Sequence, residues 1–204
     1  SDAVYLLSER GKAMQKSVPV GEGKMIAILG FDIDELEEII KKKSDNGICE
    51  VANDNSIGQV ILSGNKQAVE EIQQTMKEKK IKTIPLNVSA PFHCALMKPA
   101  SEEMSEKINK TDFKKPSINV ISNVTAKPVN ETETIKTLLV EQIFSTVKWR
   151  ESIIFMSKSN VSNFIEIGPG KVLTGMVKRT IKNANCFSIN SIADIKKLQN
   201  ELKK

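Results

Sequence analysis

Between Met25 and Val88 the chain alternates short apolar runs with amphipathic stretches in the order strand, helix, strand, strand, helix, strand, and no other feature restricts the fold as tightly. Met25-Ile26-Ala27-Ile28-Leu29, after Pro19 and the Gly21-Glu22-Gly23 turn, is a short apolar run that reads as a buried strand. Asp32 with Glu35 forms a capping box, and Ile33, Leu36, Ile39 and Ile40 then give a helix one apolar face. Strands are predicted at about 48–53 and 58–63, joined by the turn-forming Asn53-Asp54-Asn55-Ser56. A helix from about Asn65 to Lys79 with Val69, Ile72 and Met76 inward, and a strand at about 82–88, complete an α+β unit of ferredoxin-like order.

The flanking segments follow a different rule. Ala3, Leu6, Leu7, Arg10 and Met14 recur at helical spacing before Pro19, so the first residues already read as helix interior. The chain opens Ser-Asp-Ala without Met and is expected to continue a larger protein. From His93 onward, helices are predicted at about 94–109, 132–144, 149–159, 170–183 and 192–203, with strands at about 118–122, 163–167 and 186–189. That alternation favours a parallel sheet covered by helices. The expected organisation is a helix at 1–19 belonging to a larger domain, an inserted ferredoxin-like subdomain at 20–88, and the α/β remainder of the larger domain at 89–204. No internal repeat or low-complexity tract interrupts it.

Composition removes several classes of function. A chain of 204 residues, 40% hydrophobic and 27% charged, can bury a substantial core. No apolar run approaches the roughly 20 residues needed to cross a bilayer, so a cytoplasmic protein without a membrane partner is expected. Cys49, Cys94 and Cys186 lie far apart and form no Cys-x-x-Cys pair, which predicts reduced thiols and neither a disulfide framework nor a metal site. The net charge of +5 raises nucleic acid as a partner. With aromatic residues at 4%, the predicted central strands lack the stacking rings an RNA-binding sheet needs, and no nucleic-acid partner is expected. Lys171, Lys178, Arg179 and Lys182 form a local cluster suited to docking an acidic protein.

His93 is the only histidine, placed in a turn between a predicted strand and a predicted helix. An imidazole there suits a general base that activates a Ser or Cys nucleophile, provided a third group orients it. A lone histidine is also compatible with an ordinary surface or core position. Arg10, one of only three arginines, is open in the same way between a ligand clamp and a helix-surface residue paired with Glu9 or a neighbour.

Four strings occur in register: Ser8-Glu9-Arg10-Gly11-Lys12-Ala13-Met14-Gln15, Asn53-Asp54-Asn55-Ser56 through Gln59-Val60, Pro91-Phe92-His93-Cys94-Ala95-Leu96-Met97, and Ile167-Gly168-Pro169-Gly170-Lys171-Val172-Leu173-Thr174-Gly175. Together they closely resemble the malonyl-CoA:acyl carrier protein transacylase family of bacterial fatty acid synthesis. The resemblance implies an α/β-hydrolase-like larger domain, incomplete here, with an inserted ferredoxin-like subdomain. It implies His93 as the base, the main-chain carbonyl of Gln142 as its orienter, Arg10 as the clamp for the malonate carboxylate, Phe92 as a barrier to α-branched acyl groups, and Asn55 in support of the pocket. Malonyl-CoA and acyl carrier protein are the implied substrates, with no bound cofactor. Ile57 and Thr146 stand where the family usually has Pro, and Trp149 fits a Val-x-Trp string with a packing role. Gly168-Pro169-Gly170 lacks a Walker pattern and is expected to shape a strand-to-helix turn.

The family's nucleophile is a serine in a Gly-His-Ser-x-Gly elbow, and no Gly-x-Ser-x-Gly occurs here. The elbow and the oxyanion segment are expected to lie outside this chain, which alone should be slower by about a millionfold. The alternative reading is a non-catalytic fragment that binds the carrier protein.

Overall fold

In the computed structural model, which describes residues 1–43 and 46–201, strand β1 (Gly23–Leu29) runs antiparallel between β3 (Gln59–Asn65) and β4 (Lys82–Pro85), and β2 (Cys49–Ser56) pairs antiparallel with the far side of β3. The sheet order is therefore β2-β3-β1-β4. Helices α2 (Ile33–Lys42) and α3 (Lys66–Glu78) connect its strands. One core joins Ile26 and Ile28 of β1 with Val60 and Leu62 of β3, Leu36 of α2, and Val69, Ile72 and Met76 of α3. A smaller cluster of Met25, Ala27, Ala52 and Ile61 packs with Leu86 and Phe92. Successive strand residues face opposite ways, so membership of both clusters explains why 25–28 is apolar throughout and not at alternate positions.

Asp32 caps α2 as expected, its Oδ1 accepting the Asp34 and Glu35 amides at 2.9 and 3.3 Å. The return bond from Glu35 that would complete a capping box is not formed among the described residues, so the cap is one-sided.

Helix α1 (Asp2–Lys16) packs Ala13 and Met14 into a second core with Val18, Met97, Ala100, Met104, Ile108 and Ile143. Here the sequence expectation is half right. Ala3 and Leu7 of the apolar stripe are exposed, Leu7 at 65%, and only the later positions are buried. On the neighbouring face Glu9 binds Lys107 and Lys12, and those two contacts hold its carboxyl down to about 2.

The helix predicted at 94–109 begins instead with a 3-10 turn, Ala95–Met97, before α4 (Lys98–Lys110), with Pro99 in the first helical turn where its missing N–H costs nothing. The strand predicted at 118–122 shrinks to β5 (Val120–Ile121), which pairs antiparallel with β6 (Pro128–Val129), a strand that was not anticipated. Helix α5 (Thr132–Glu141) stops just before Gln142, short of the expected 144.

The chain divides into two compact units, the second beginning at Arg150. After α6 (Trp149–Lys158), β7 (Asn163–Ile167) and β8 (Asn185–Ile189) pair in parallel, joined through α7 (Val172–Thr180), and α8 (Ile192–Glu201) follows. The expected parallel pairing is thus realised between these two strands, whereas β5 takes an antiparallel partner. The last residues of the helix predicted at 192–203 lie outside the described residues. At Gly168-Pro169-Gly170, both glycines take left-handed φ values of 134° and 94°. The Glu166 carboxylate accepts the Leu173 and Thr174 amides at 3.1 and 2.7 Å, occupying the α7 N–H groups that a phosphate loop would offer. Among the described residues no helix is long and apolar enough to cross a membrane, and no group of three or more His, Cys, Asp or Glu side chains is placed to hold a metal.

Candidate active site

The turn from Ala90 to Met97 is built from short-range bonds. The Phe92 amide donates to the Ala90 carbonyl at 3.1 Å, the Cys94 thiol to the Pro91 carbonyl at 3.2 Å, and the Met97 amide to the Cys94 carbonyl at 2.9 Å. Within this turn His93 takes the left-handed region, with φ at 57°. That conformation costs a non-glycine residue roughly 1–2 kcal/mol, and histidine is among the few that adopt it with any frequency. The sequence carries no sign of this strain. Phe92 is half-buried and packs against both the α1/α4 core and the small cluster behind the sheet.

His93 Nδ1 lies 2.9 Å from the main-chain oxygen of Gln142. Gln142 caps the C-terminus of α5, its amide donating to Leu138, and no main-chain N–H donates to its own carbonyl among the described residues. A helix end leaves such carbonyls unpaired and carries partial negative charge. The imidazole Nδ1–H satisfies this one, which leaves Nε2 as the lone-pair nitrogen. The contact at this helix terminus fixes the ring by the same nitrogen that a buried carboxylate binds in a Ser-His-Asp triad. Burial lowers the His93 pKa below its usual value; the bond to Gln142 opposes that shift, and the nearby Arg10 guanidinium adds to it. The net effect keeps the imidazole neutral, the form a base needs.

Arg10 is half-buried on α1 and its Nε is enclosed without a hydrogen-bond partner among the described residues. Burial lowers its pKa, yet a guanidinium stays charged in proteins. The pairing of Arg10 with Glu9 that the sequence left open is excluded, because Glu9 is taken by Lys107 and Lys12. A desolvated cation with an unused donor is ready for an anionic partner.

His93, Gln142, Arg10 and Phe92 thus belong to one region. Asn55 sits half-buried on β2 next to an irregularity in the β2–β3 pairing, and no hydrogen bond joins it to His93 or Gln142 among the described residues. The indole Nε1 of Trp149 is enclosed and has no hydrogen-bond partner among the described residues, which fits packing. Two of the three thiols are poor nucleophiles. Cys49 and Cys94 are buried, and burial pushes Cys49 up to about 12 and Cys94 upward as well.

The supporting contacts escaped sequence reasoning. The Ala95 amide donates to Glu50 Oε2 at 2.9 Å, and Thr146 Oγ1 donates to the Val51 carbonyl at 2.6 Å. The one available signal was Thr146 itself, a hydroxyl donor where the resembling family usually has proline.

The acyl transferase domain family matches residues 1–203. The malonyl CoA-acyl carrier protein transacylase of Bacillus subtilis (strain 168) is 42% identical over 191 residues, covering 93% of this chain and 60% of that protein. The crystal structure of malonyl CoA-acyl carrier protein transacylase from Clostridium perfringens superposes with a TM-score of 0.94 at 39% identity, covering 99% of this chain and 64% of that one. A malonyl-transacylase solved in complex with its type II PKS acyl-carrier protein gives a TM-score of 0.92 at 38% identity, covering 97% of this chain and 65% of that one. The chain therefore spans 60% to 65% of the length of these relatives.

Proposed function

The chain belongs to the acyl transferase domain family, and from that premise we propose that it supplies the base and the substrate clamp of an S-malonyltransferase, which moves malonyl from coenzyme A to the pantetheine thiol of an acyl carrier protein. The observation that carries this reading is the 2.9 Å contact between His93 Nδ1 and the Gln142 carbonyl, with the half-buried Arg10, whose Nε is enclosed and unpartnered among the described residues, close to it. Relatives named for malonyl CoA and acyl carrier protein support the pair of substrates. The transacylase solved with its carrier protein supports the acceptor.

The proposed nucleophile is a serine outside this chain. His93 Nε2 takes the hydroxyl proton as the serine oxygen attacks the thioester carbonyl, and the departing coenzyme A thiolate receives that proton from the imidazolium. In the second half-reaction His93 takes the proton of the pantetheine thiol, the thiolate attacks the acyl-serine ester, and the serine oxygen leaves with the proton. Arg10 pairs its fork with the free malonyl carboxylate. A charge-assisted contact is worth about 1.5–3 kcal/mol, a preference for malonyl over acetyl of about tenfold to a hundredfold. The Phe92 ring limits space for an α-methyl branch, and Asn55 supports the pocket wall. The chemistry calls for no bound cofactor and suits a cytoplasmic enzyme.

The proposed architecture is an α/β-hydrolase-like domain interrupted at 20–88 by a ferredoxin-like subdomain. The strand order β2-β3-β1-β4 supports the second part. The first is supported by the core that α1 shares with residues beyond Ala90.

Mixing this chain with a separately produced segment carrying the serine elbow, then assaying malonyl transfer to holo-carrier protein, tests the proposal. Transfer is expected from the mixture and not from either part. A folded complex that transfers nothing overturns it, and carrier binding without transfer in that complex favours the binding-fragment reading. In the active mixture Arg10→Ala should lose the malonyl preference; an unchanged preference removes the clamp.

A further inference from the structure

The two partners of the His93–Gln142 bond are held by two adjacent residues of one strand. On one side, the amide of Ala95, two residues beyond His93, donates to the Glu50 carboxylate at 2.9 Å. On the other, the segment leaving Gln142 is fastened by the Thr146 hydroxyl on the Val51 carbonyl at 2.6 Å. The next residue, Val147, donates to Ala52 at 2.8 Å and accepts from the Asp54 amide at 3.0 Å. Strand β2 is one of the sheet's two outer strands, and its pairing with β3 is interrupted between Val51 and Asn53 and between Asp54 and Ser56. Such irregularities free and re-aim main-chain groups of an edge strand, and Val147 uses those of Ala52 and Asp54.

We propose that β2 sets the separation of the imidazole and its carbonyl partner, with Glu50 and Thr146 as positioning residues for His93. Both tethers are short. Ala95 lies two residues from His93 and Thr146 four from Gln142, so releasing either one loosens the 2.9 Å contact between them. A further bond ties the same turn to the neighbouring strand, where the Ser63 hydroxyl faces Cys94 Sγ at 3.7 Å. Glu50 is exposed, so its bond adds little to overall stability. Its effect falls on the turn. The role of these two residues in transfer rests on the proposed function above; their grip on His93 does not.

Because His93 is the only histidine, ¹⁵N-imidazole labelling of the intact chain reports this site alone. The unsubstituted chain should show one neutral tautomer, with the proton on Nδ1. Glu50→Ala and Thr146→Val should each lose that single-tautomer spectrum, whereas Glu50→Gln and Thr146→Ser, which keep an acceptor and a hydroxyl, should retain it. Circular dichroism and urea midpoints confirm that each variant is folded. Folded Glu50→Ala and Thr146→Val chains with an unchanged imidazole spectrum overturn the proposal, as does Glu50→Gln behaving like Glu50→Ala. A mixed tautomer in the unsubstituted chain overturns the His93–Gln142 contact itself, and with it the observation on which the proposed function stands.

Discussion

Replacing Gly23 with alanine separates two physical effects of opposite sign. Gly23 opens β1 with a φ outside the left-handed region, so alanine meets no backbone strain there. By propensity alone the change should stabilise the strand by about 0.5–1 kcal/mol, because glycine loses more entropy on folding. The structure predicts the reverse. A Cβ at Gly23 would lie 2.4 Å from both Cδ and Cγ of Pro91, where ordinary contacts begin near 3.4 Å. The rigid ring offers no rotamer that yields, so the Pro91-Phe92-His93 turn must retreat by about 1 Å. Moving a 2.9 Å contact by that amount takes His93 Nδ1 beyond hydrogen-bond reach of Gln142. Overpacking costs about 1–3 kcal/mol and the lost bond about 1 kcal/mol, which outweighs the entropic gain. Urea denaturation of Gly23→Ala should therefore show a loss of about 1–3 kcal/mol, with the Nδ1-protonated tautomer lost from the imidazole spectrum. A variant as stable as the parent, with its His93 spectrum intact, refutes the coupling between β1 and the turn.

Leu62→Ala, at a fully buried site in the sheet core, should cost about 2–5 kcal/mol in the same denaturation experiment with the fold retained. Asp32→Ala removes the acceptor for two α2 amides and should cost about 0.5–2 kcal/mol, with hydrogen exchange quickened in the first turn of α2. The folded His93 pKa is depressed, so the unfolded chain binds more protons below the ordinary value of 6.5, and stability should fall as pH drops through 6.5 towards the folded value. His93→Gln should flatten that slope below pH 6.5, measured as urea midpoints, while leaving the separate loss below pH 4.5 to which Glu9 contributes.

The order strand, helix, strand, strand, helix, strand was legible because its core is local and apolar. Ile26, Ile28, Leu62, Val69, Ile72 and Met76 are all buried, and each was visible as a strand run or a helical stripe. Legibility fails where burial depends on packing that periodicity does not encode. Leu7 fits the α1 stripe as well as Met14 does, yet it is exposed and Met14 is buried. The β5–β6 hairpin was missed for a related reason: two-residue strands, one of them begun by Pro128, leave no alternation to read.

The site divides along the same line. His93 and Arg10 announce themselves by rarity and side-chain chemistry, so residue type alone makes them candidates. The orienter does not, because the group that binds Nδ1 is a main-chain oxygen, and every residue carries one. What makes the Gln142 carbonyl special is position: it caps α5, where the helical ladder leaves carbonyls without donors. The side chain at 142 is therefore free to vary, while the length of α5 is not. Extending α5 by a turn, as the expected end at 144 would begin to do, would spend that carbonyl on an intrahelical amide and take it from His93. In this fold the helix stop after Glu141 leaves that carbonyl to the imidazole, and the segment that follows is bonded to β2 through Thr146 and Val147.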